Sequence, residues 1–268
     1  MISRADLGRR IQLVRAERAR WIQAACYVLS IGTVLGLWQY VGKDFGILFA
    51  PLTATLEEIR ELVVGGIIGP AMLVSGQLYV LTLGIDLVVG LATGLLLARV
   101  RWFAAAFEPY VFMLYAAPTV ALVPMALAVF GFSLTPQVIV AVLISVFPIV
   151  FLVTEGARSI PSAYLDVASS HGSSEYQLWR DVILPYVTPY FMSGVRQTIP
   201  LAMVGTLVAE FFLAASGVSG LLIEGVTAFQ PAKVLAVTVL VSILAIALVG
   251  VGELAERFLV PWRQAEQS

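Results

Sequence analysis

Arg158-Ser-Ile-Pro-Ser-Ala-Tyr-Leu-Asp-Val-Ala-Ser-Ser-His-Gly-Ser-Ser-Glu-Tyr-Gln-Leu-Trp-Arg-Asp-Val-Ile-Leu184, followed by Pro185, is the one long polar stretch between two very apolar regions of this chain. Ser162 is a suitable N-cap for a helix that places Asp166 near its positive N-terminal end. Gly172 provides a flexible stop, and a second short helix is expected to run to Trp179. The stretch therefore predicts a helix, a tight turn and another helix, which lead back into an apolar segment at Pro185.

The composition indicates a membrane protein. Hydrophobic residues make up 60% of the 268 residues, charged residues make up 12%, and the mean hydropathy is +0.94. About 20 apolar residues cross a hydrocarbon core roughly 30 Å thick. Six runs reach that length, so the sequence predicts an all-α membrane protein with six transmembrane helices. The predicted spans are residues 21–42, 71–98, 106–131, 136–156, 186–214 and 232–256.

The distribution of lysine and arginine predicts the orientation. With the N-terminus inside, twelve basic residues flank the spans on the inner side, and three (Lys43, Arg60 and Lys233) lie outside. This positive-inside bias places both termini and the loop 157–185 in the cytosol. Residues 1–20 are expected to form a basic amphipathic helix at the inner membrane surface, residues 21–262 the membrane domain, and residues 263–268 a cytosolic tail.

The polar stretch resembles the "EAA" loop of permease subunits of ATP-binding-cassette (ABC) importers, E-A-A-x-x-x-G, nine residues, I-x-L-P. The matching positions, without a gap, are Asp166, Val167, Ala168, Gly172, Val182, Leu184 and Pro185. In that family this loop carries the coupling helix, which docks on a cytosolic ATPase. The resemblance implies the same role here, with Tyr176, Leu178 and Trp179 as apolar contacts.

The resemblance extends over about residues 70–262 and is greatest to the permeases of nitrate, sulfonate, taurine and thiamine precursors. It includes Pro189-Tyr-Phe-Met-Ser-Gly194-Val-Arg196 and Val208-Ala-Glu210. It implies a type I importer fold in the inner membrane and a second permease copy. The other implied partners are two ATPase subunits, which bind ATP and Mg²⁺, and a periplasmic or lipid-anchored substrate-binding protein. It also implies a small organic or inorganic anion as the solute.

Three charged residues fall inside predicted spans, namely Asp86, Arg196 and Glu210. Charges in the membrane interior are costly and usually face a bundle interior or a cavity, so these residues are candidates for the translocation path. Local packing roles remain open for Asp86 and Glu210, and Arg196 is close enough to Pro185 to reach the cytosolic interface. Tyr115 and Ser145 are two further candidates for lining the path.

An enzymatic function is not expected. A P-loop needs G-x-x-x-x-G-K-[ST], and the chain has only two lysines, neither in that context. The single histidine and single cysteine do not make a soft-metal site, and a net charge of −1 argues against a nucleic-acid partner. Two alternatives to the importer remain open, an ion-driven secondary transporter using Asp86 or Glu210 and a membrane scaffold without transport.

Overall fold

The computed structural model describes residues 4–46, 48–213 and 216–259, with side chains from 22 to 256 apart from residue 24 and the two gaps. All regular elements in these ranges are helical. They are α1 (Arg4–Asp44), α2 (Leu52–Val64), α3 (Ile68–Arg99), α4 (Arg101–Ala116), a 3₁₀ turn (Thr119–Leu122), α5 (Val123–Phe130), α6 (Leu134–Ser145), α7 (Phe147–Arg158), α8 (Ser162–Ser170), α9 (Glu175–Leu178), a π turn (Trp179–Ile183), α10 (Leu184–Leu213), α11 (Gly217–Thr227) and α12 (Pro231–Leu259).

Within the described residues, length and composition give three straight helices that can cross a bilayer: Ala25–Asp44, Ile68–Arg99 and Pro231–Glu256. Three further pairs meet the same criterion but are bent at a short break: Arg101–Ala116 with Thr119–Phe130, Leu134–Ser145 with Phe147–Arg158, and Glu175–Leu213 with Gly217–Thr227. Counted as one span each, the bent pairs bring the number to six, in the predicted order.

Two of the breaks lie at prolines. The chain turns by 95° where Pro118 follows α4, and by 45° where Pro148 follows the end of α6. Proline lacks the N–H that continues a helix, and its ring crowds the preceding turn. Pro124, like Pro148, lies in the first turn of its helix, here α5, where the missing N–H costs nothing.

The centre of the domain is formed where α3 and α10 pack against α7. A methyl group at Gly90 would lie 2.7 Å from Ile149 Cγ2, and one at Gly94 would lie 2.7 Å from Val153 Cβ. Glycine at these two positions therefore lets α3 approach α7 closely, which places the polar side chains of α3 among those of α6 and α10.

The predicted basic helix 1–20 and the first predicted span lie in one continuous helix, α1, whose side chains before residue 22 are outside the described ones. Its C-terminal part is tied to the chain before α2, because Trp38 Nε1 donates to the Ala50 carbonyl at 3.0 Å. The predicted tail 263–268 lies outside the described residues.

Candidate functional site

The polar stretch folds as two short helices with well-defined ends. α8 starts at Ser162. The sequence predicted Ser162 as the N-cap, but the N-cap is the residue before it, Pro161, with φ −60° and ψ 136°. At its other end Gly172 adopts φ +70°. Ser173 N then donates to the Ala168 carbonyl (3.1 Å), and Gly172 N donates to the Ser169 carbonyl (3.0 Å). This bond pair is a Schellman motif, which glycine favours because a left-handed residue is required.

The second helix begins with a capping box. Gln177 N donates to Ser174 Oγ (3.3 Å), and Ser174 N donates to Gln177 Oε1 (2.8 Å). After α9 the chain makes the π turn Trp179–Ile183 and continues directly into α10 at Leu184. Because both ends of the turn are capped, α8 is held in a fixed position relative to α10.

α8 has one face toward its own chain and one toward solvent. Leu165 is half-buried and Ala168 is buried, whereas Tyr164 and Val167 are 58% and 59% exposed. Asp166 is also exposed, as is Tyr176 on α9. Tyr164 and Val167 lie outside all six candidate spans, so they expose apolar surface at a position where no span accounts for it.

Four further residues of the predicted coupling set lie on or next to the start of α10. Leu184 and Pro185 are exposed, whereas Leu178 and Trp179 are half-buried against a cluster that includes Ile149, Val153 and Ile183. The structure therefore places Leu178 and Trp179 largely within the domain, and Tyr164 joins the exposed face instead.

The junction between α7 and α8 is held by two tyrosines of α10. Tyr186 Oη donates to the Ser159 carbonyl at 3.3 Å, and Ser159 Oγ donates to Tyr190 Oη at 3.3 Å. A side chain at Gly156 would collide with the Tyr190 ring, so α7 and α10 are in close contact here. Movement of α8 would consequently be transmitted to both α7 and α10.

Two of the path candidates lie in contact. Ser145 Oγ, at the end of α6, is 2.6 Å from Asp86 Oδ2 and 2.8 Å from the Ala141 carbonyl. Thr198 Oγ1 of α10 donates to the Ser145 carbonyl at 3.0 Å. All three polar side chains, Asp86, Ser145 and Thr198, are fully buried. The arrangement joins α3, α6 and α10 at the break before Pro148.

Glu210 lies at a separate polar site near the start of α11. Ser75 Oγ donates to Glu210 Oε2 at 2.8 Å, and Ser219 N donates to the same oxygen at 3.4 Å. Val218 N donates to Ser75 Oγ at 2.9 Å. The first N–H groups of a helix carry partial positive charge, so the Glu210 carboxyl suits this position as a cap for α11.

The remaining two path candidates are elsewhere. Tyr115 is 59% exposed, with its ring centroid 5.4 Å from that of Phe147 and 5.1 Å from that of Phe151. Arg196 is exposed and lies 3.6 Å from Glu256 of α12. The structure thus brings together Asp86 with Ser145, but does not join Tyr115, Arg196 and Glu210 to them.

Comparison with known proteins agrees with this architecture. Residues 88–263 match the family described as "Binding-protein-dependent transport system inner membrane component". The chain belongs to this family. The resemblance predicted from the polar stretch is therefore confirmed.

Individual relatives of this family member are transport permeases. It is 32% identical to the riboflavin transport system permease RibX of Chloroflexus aurantiacus over 62% of each chain. It is 29% identical to the formylaminopyrimidine transport permease ThiX of Halalkalibacterium halodurans over 69% of this chain and 75% of that one. The match thus spans less than two thirds of the length of the riboflavin permease.

The fold of this family member is also found in a solved transporter. A chain of the MetNI methionine ABC transporter, in an inward-facing conformation, superposes with a TM-score of 0.60 over 71% of this chain and 94% of that one, at 17% identity. The predicted fold class, an all-helical type I importer permease, is therefore confirmed.

Sequence reasoning missed one ion pair of this permease. Arg158 Nη2 lies 2.9 Å from Glu108 Oε2 and donates to the Leu97 carbonyl at 3.0 Å, so it joins α7 to α4 and α3. Both charges were visible at the ends of apolar runs, but no spacing rule connects residues 50 positions apart. Among the described residues no group of three His, Cys, Asp or Glu side chains could hold a metal ion.

Proposed function

We propose that this chain is the membrane-spanning permease subunit of an ATP-driven importer, in which the segment 157–185 docks on a cytosolic ATPase. The observation that carries the proposal is the exposed apolar face of α8 in a loop capped at both ends of its turn. Aromatic and aliphatic anchors on a rigid element are typical of interface hot spots. Tyr164, Val167 and Tyr176 are the residues we expect at the centre of that contact.

The helices next to α8 offer a route for the motion. Ser159 is bonded to Tyr186 and Tyr190, and the π turn continues without interruption into α10. Arg158 extends the connection to α4 through Glu108. Closure of a pair of ATPase subunits would therefore shift α7, α10 and α4 together. In this proposal ATP binding biases the permease between inward-open and outward-open states, and hydrolysis resets it.

The proposed assembly has two copies of the permease, two ATPase subunits and a substrate-binding protein. The family description, which names binding-protein-dependent transport, supports the last of these. ATP and Mg²⁺ would be bound by the ATPase subunits, since this sequence has no P-loop. The solute class, a small organic or inorganic anion, rests on the family resemblance alone. The inner bias of arginine supports cytosolic termini.

Native mass spectrometry of the tagged chain, purified gently from its own membranes, tests the proposal. We expect a mass that contains two copies of the chain and two ATP-binding subunits. Proteoliposomes of that complex should take up solute only with ATP and the substrate-binding protein. Uptake driven by an ion gradient without an ATPase would instead support a secondary transporter. An intact complex that lacks an ATP-binding subunit would contradict the proposal.

A further inference from the structure

The break between α6 and α7 is held by side chains of two other helices. Ser145 is the last residue of α6, and Pro148 lies in the first turn of α7. Asp86 of α3 contacts the Ser145 hydroxyl, and Thr198 of α10 contacts the Ser145 carbonyl. A change in the bend at this break would therefore change the contact between Asp86 and Ser145.

The hydrogens at Ser145 can be counted. Its hydroxyl carries one hydrogen, yet its oxygen lies within hydrogen-bond distance of both Asp86 Oδ2 (2.6 Å) and the Ala141 carbonyl (2.8 Å). Each contact has its own hydrogen if Ser145 donates to Ala141 and a protonated Asp86 donates to Ser145, whereas an ionised Asp86 would leave the single hydroxyl hydrogen shared between two acceptors. The 2.6 Å distance is at the short end of the range for O–H···O bonds. This geometry favours a proton on the carboxyl of Asp86.

An ionised Asp86 would be poorly solvated. Its side chain is fully buried, and its Oδ1 has no hydrogen-bond partner among the described residues. At most one donor, Ser145, would face the negative charge, and a buried charge without several donors or a cation is costly. Glu210 also has one oxygen, Oε1, without a partner among the described residues, but its Oε2 accepts from two donors, Ser75 Oγ and Ser219 N at a helix N-terminus.

Other ionisable groups on the surrounding helices do not supply a counter-charge. α6 has no ionisable side chain. Tyr79 of α3 donates to the Ile199 carbonyl. Glu224 of α11 is paired with Lys233. On α7 Glu155 is exposed and Arg158 is bonded to Glu108 of α4. On α10 Arg196 is exposed near Glu256. Arg99, the remaining cation of these helices, lies in the last turn of α3, thirteen residues beyond Asp86 and therefore about 20 Å along the helix.

We propose that Asp86 is a proton-binding site, which carries a proton in this conformation and donates it to Ser145 Oγ, and so fastens α3 to the break between α6 and α7. Because the proton is held by a contact across the break, proton affinity and the bend are thermodynamically linked. A rearrangement that separates Asp86 from Ser145 and admits water would release the proton. This inference concerns the chain itself and does not depend on the proposed import function.

Infrared spectroscopy of the full chain in lipid nanodiscs tests the proposal. At about pH 7 solvent-exposed carboxyls are ionised, so a carboxylic-acid carbonyl band reports buried protonated groups. We expect such a band in the wild type, its loss in Asp86→Asn, and its persistence in Glu210→Gln, the matched buried control. Identical carboxylic-acid bands in the wild type and a folded Asp86→Asn would overturn the proposal.

A second variant keeps the test decisive if Asp86→Asn fails to fold. Ser145→Ala removes the acceptor but leaves the carboxyl, so the band should remain and shift to higher frequency as the hydrogen bond is lost. An unshifted band in Ser145→Ala, or the absence of any carboxylic-acid band in the wild type, would overturn the proposal.

Discussion

Replacement of Gly172 by valine tests the rigid turn after α8. Gly172 has φ +70°, and a side chain added there would meet nothing within 4 Å. Steric collision is therefore absent, and the whole effect is the backbone strain of an L residue in the left-handed region, about 1–2 kcal/mol. That energy corresponds to a factor of about 5–30 in population.

The strained conformation is the one that forms the Schellman bonds of Ser173 and Gly172 to the end of α8. If only this conformation docks on the ATPase, the apparent dissociation constant rises by up to this factor of about 5–30, since it varies with the inverse of the fraction in the docking conformation. The assay titrates the purified ATPase subunit against nanodiscs that hold the permease and measures the bound fraction. Gly172→Asn should show a smaller shift, because asparagine tolerates the left-handed region better than valine.

Gly66 provides the matched control. It has φ +68°, it also has nothing within 4 Å, and it closes a Schellman motif at the end of α2, where Ile67 N donates to the Leu62 carbonyl and Gly66 N donates to the Val63 carbonyl. Gly66→Val therefore imposes the same kind of strain outside the segment 157–185 and should leave ATPase affinity unchanged. Wild-type affinity in Gly172→Val, or an equal loss in both variants, would refute the reasoning.

Three further predictions concern packing and polar contacts. Gly90→Ala should lower the free energy of unfolding by about 1–3 kcal/mol through collision with Ile149, whereas Gly84→Ala, in open space, should not, as measured by thermal unfolding in detergent. Glu210→Leu should cost about 1–3 kcal/mol, because Ser75 and Ser219 N lose their acceptor, and Glu210→Gln should cost less in the same assay. The Arg158–Glu108 pair is partly exposed, so a double-mutant cycle with glutamine should give a coupling below about 1 kcal/mol.

Three outcomes of these measurements would contradict the predictions. Equal stability of Gly90→Ala and Gly84→Ala would contradict the close approach of α3 to α7. Equal losses in Glu210→Gln and Glu210→Leu would show that the charge of Glu210, not its acceptor oxygens, stabilises α11. A coupling above about 2 kcal/mol would show that Arg158 and Glu108 are desolvated together.

The sequence predicted the helical elements well because their signals are local. Apolar length alone indicated the spans, and two of the three bends lie at prolines that are visible in the sequence, Pro118 and Pro148. The start of α2 is less evident from the sequence, because Thr55, followed by Glu57 and Glu58, has the residue type of an N-cap but is buried and donates to the Pro51 carbonyl. The N-cap is Pro51, four residues earlier.

The direction of side chains in the polar stretch was harder to predict. The π turn Trp179–Ile183 adds a residue per turn and rotates the chain that follows it, which regular helical spacing cannot reveal. Leu178 and Trp179 lie before and at the start of this turn and are half-buried against residues of other helices, a tertiary contact that the local pattern does not show. Tyr164, which the pattern did not single out, is exposed.

Contacts between distant parts of the chain could not be predicted. Asp86 and Ser145 were each candidates, but they are 59 positions apart and only the packing of α3 on α6 brings them together. Thr198 and Ser75 gave no signal at all, since hydroxyl side chains are common in membrane helices. A buried polar pair of this kind is a property of the fold.

Photo-crosslinking from Val167 tests the central claim most directly. A photoreactive residue at this exposed position on α8, in the complex within its own membranes, is predicted to give a covalent product with an ATP-binding subunit, identified by mass spectrometry. The same residue at Val226, equally exposed on α11, should not form that product. Products with lipid or with the chain itself alone, or the same ATPase product from both positions, would contradict the account.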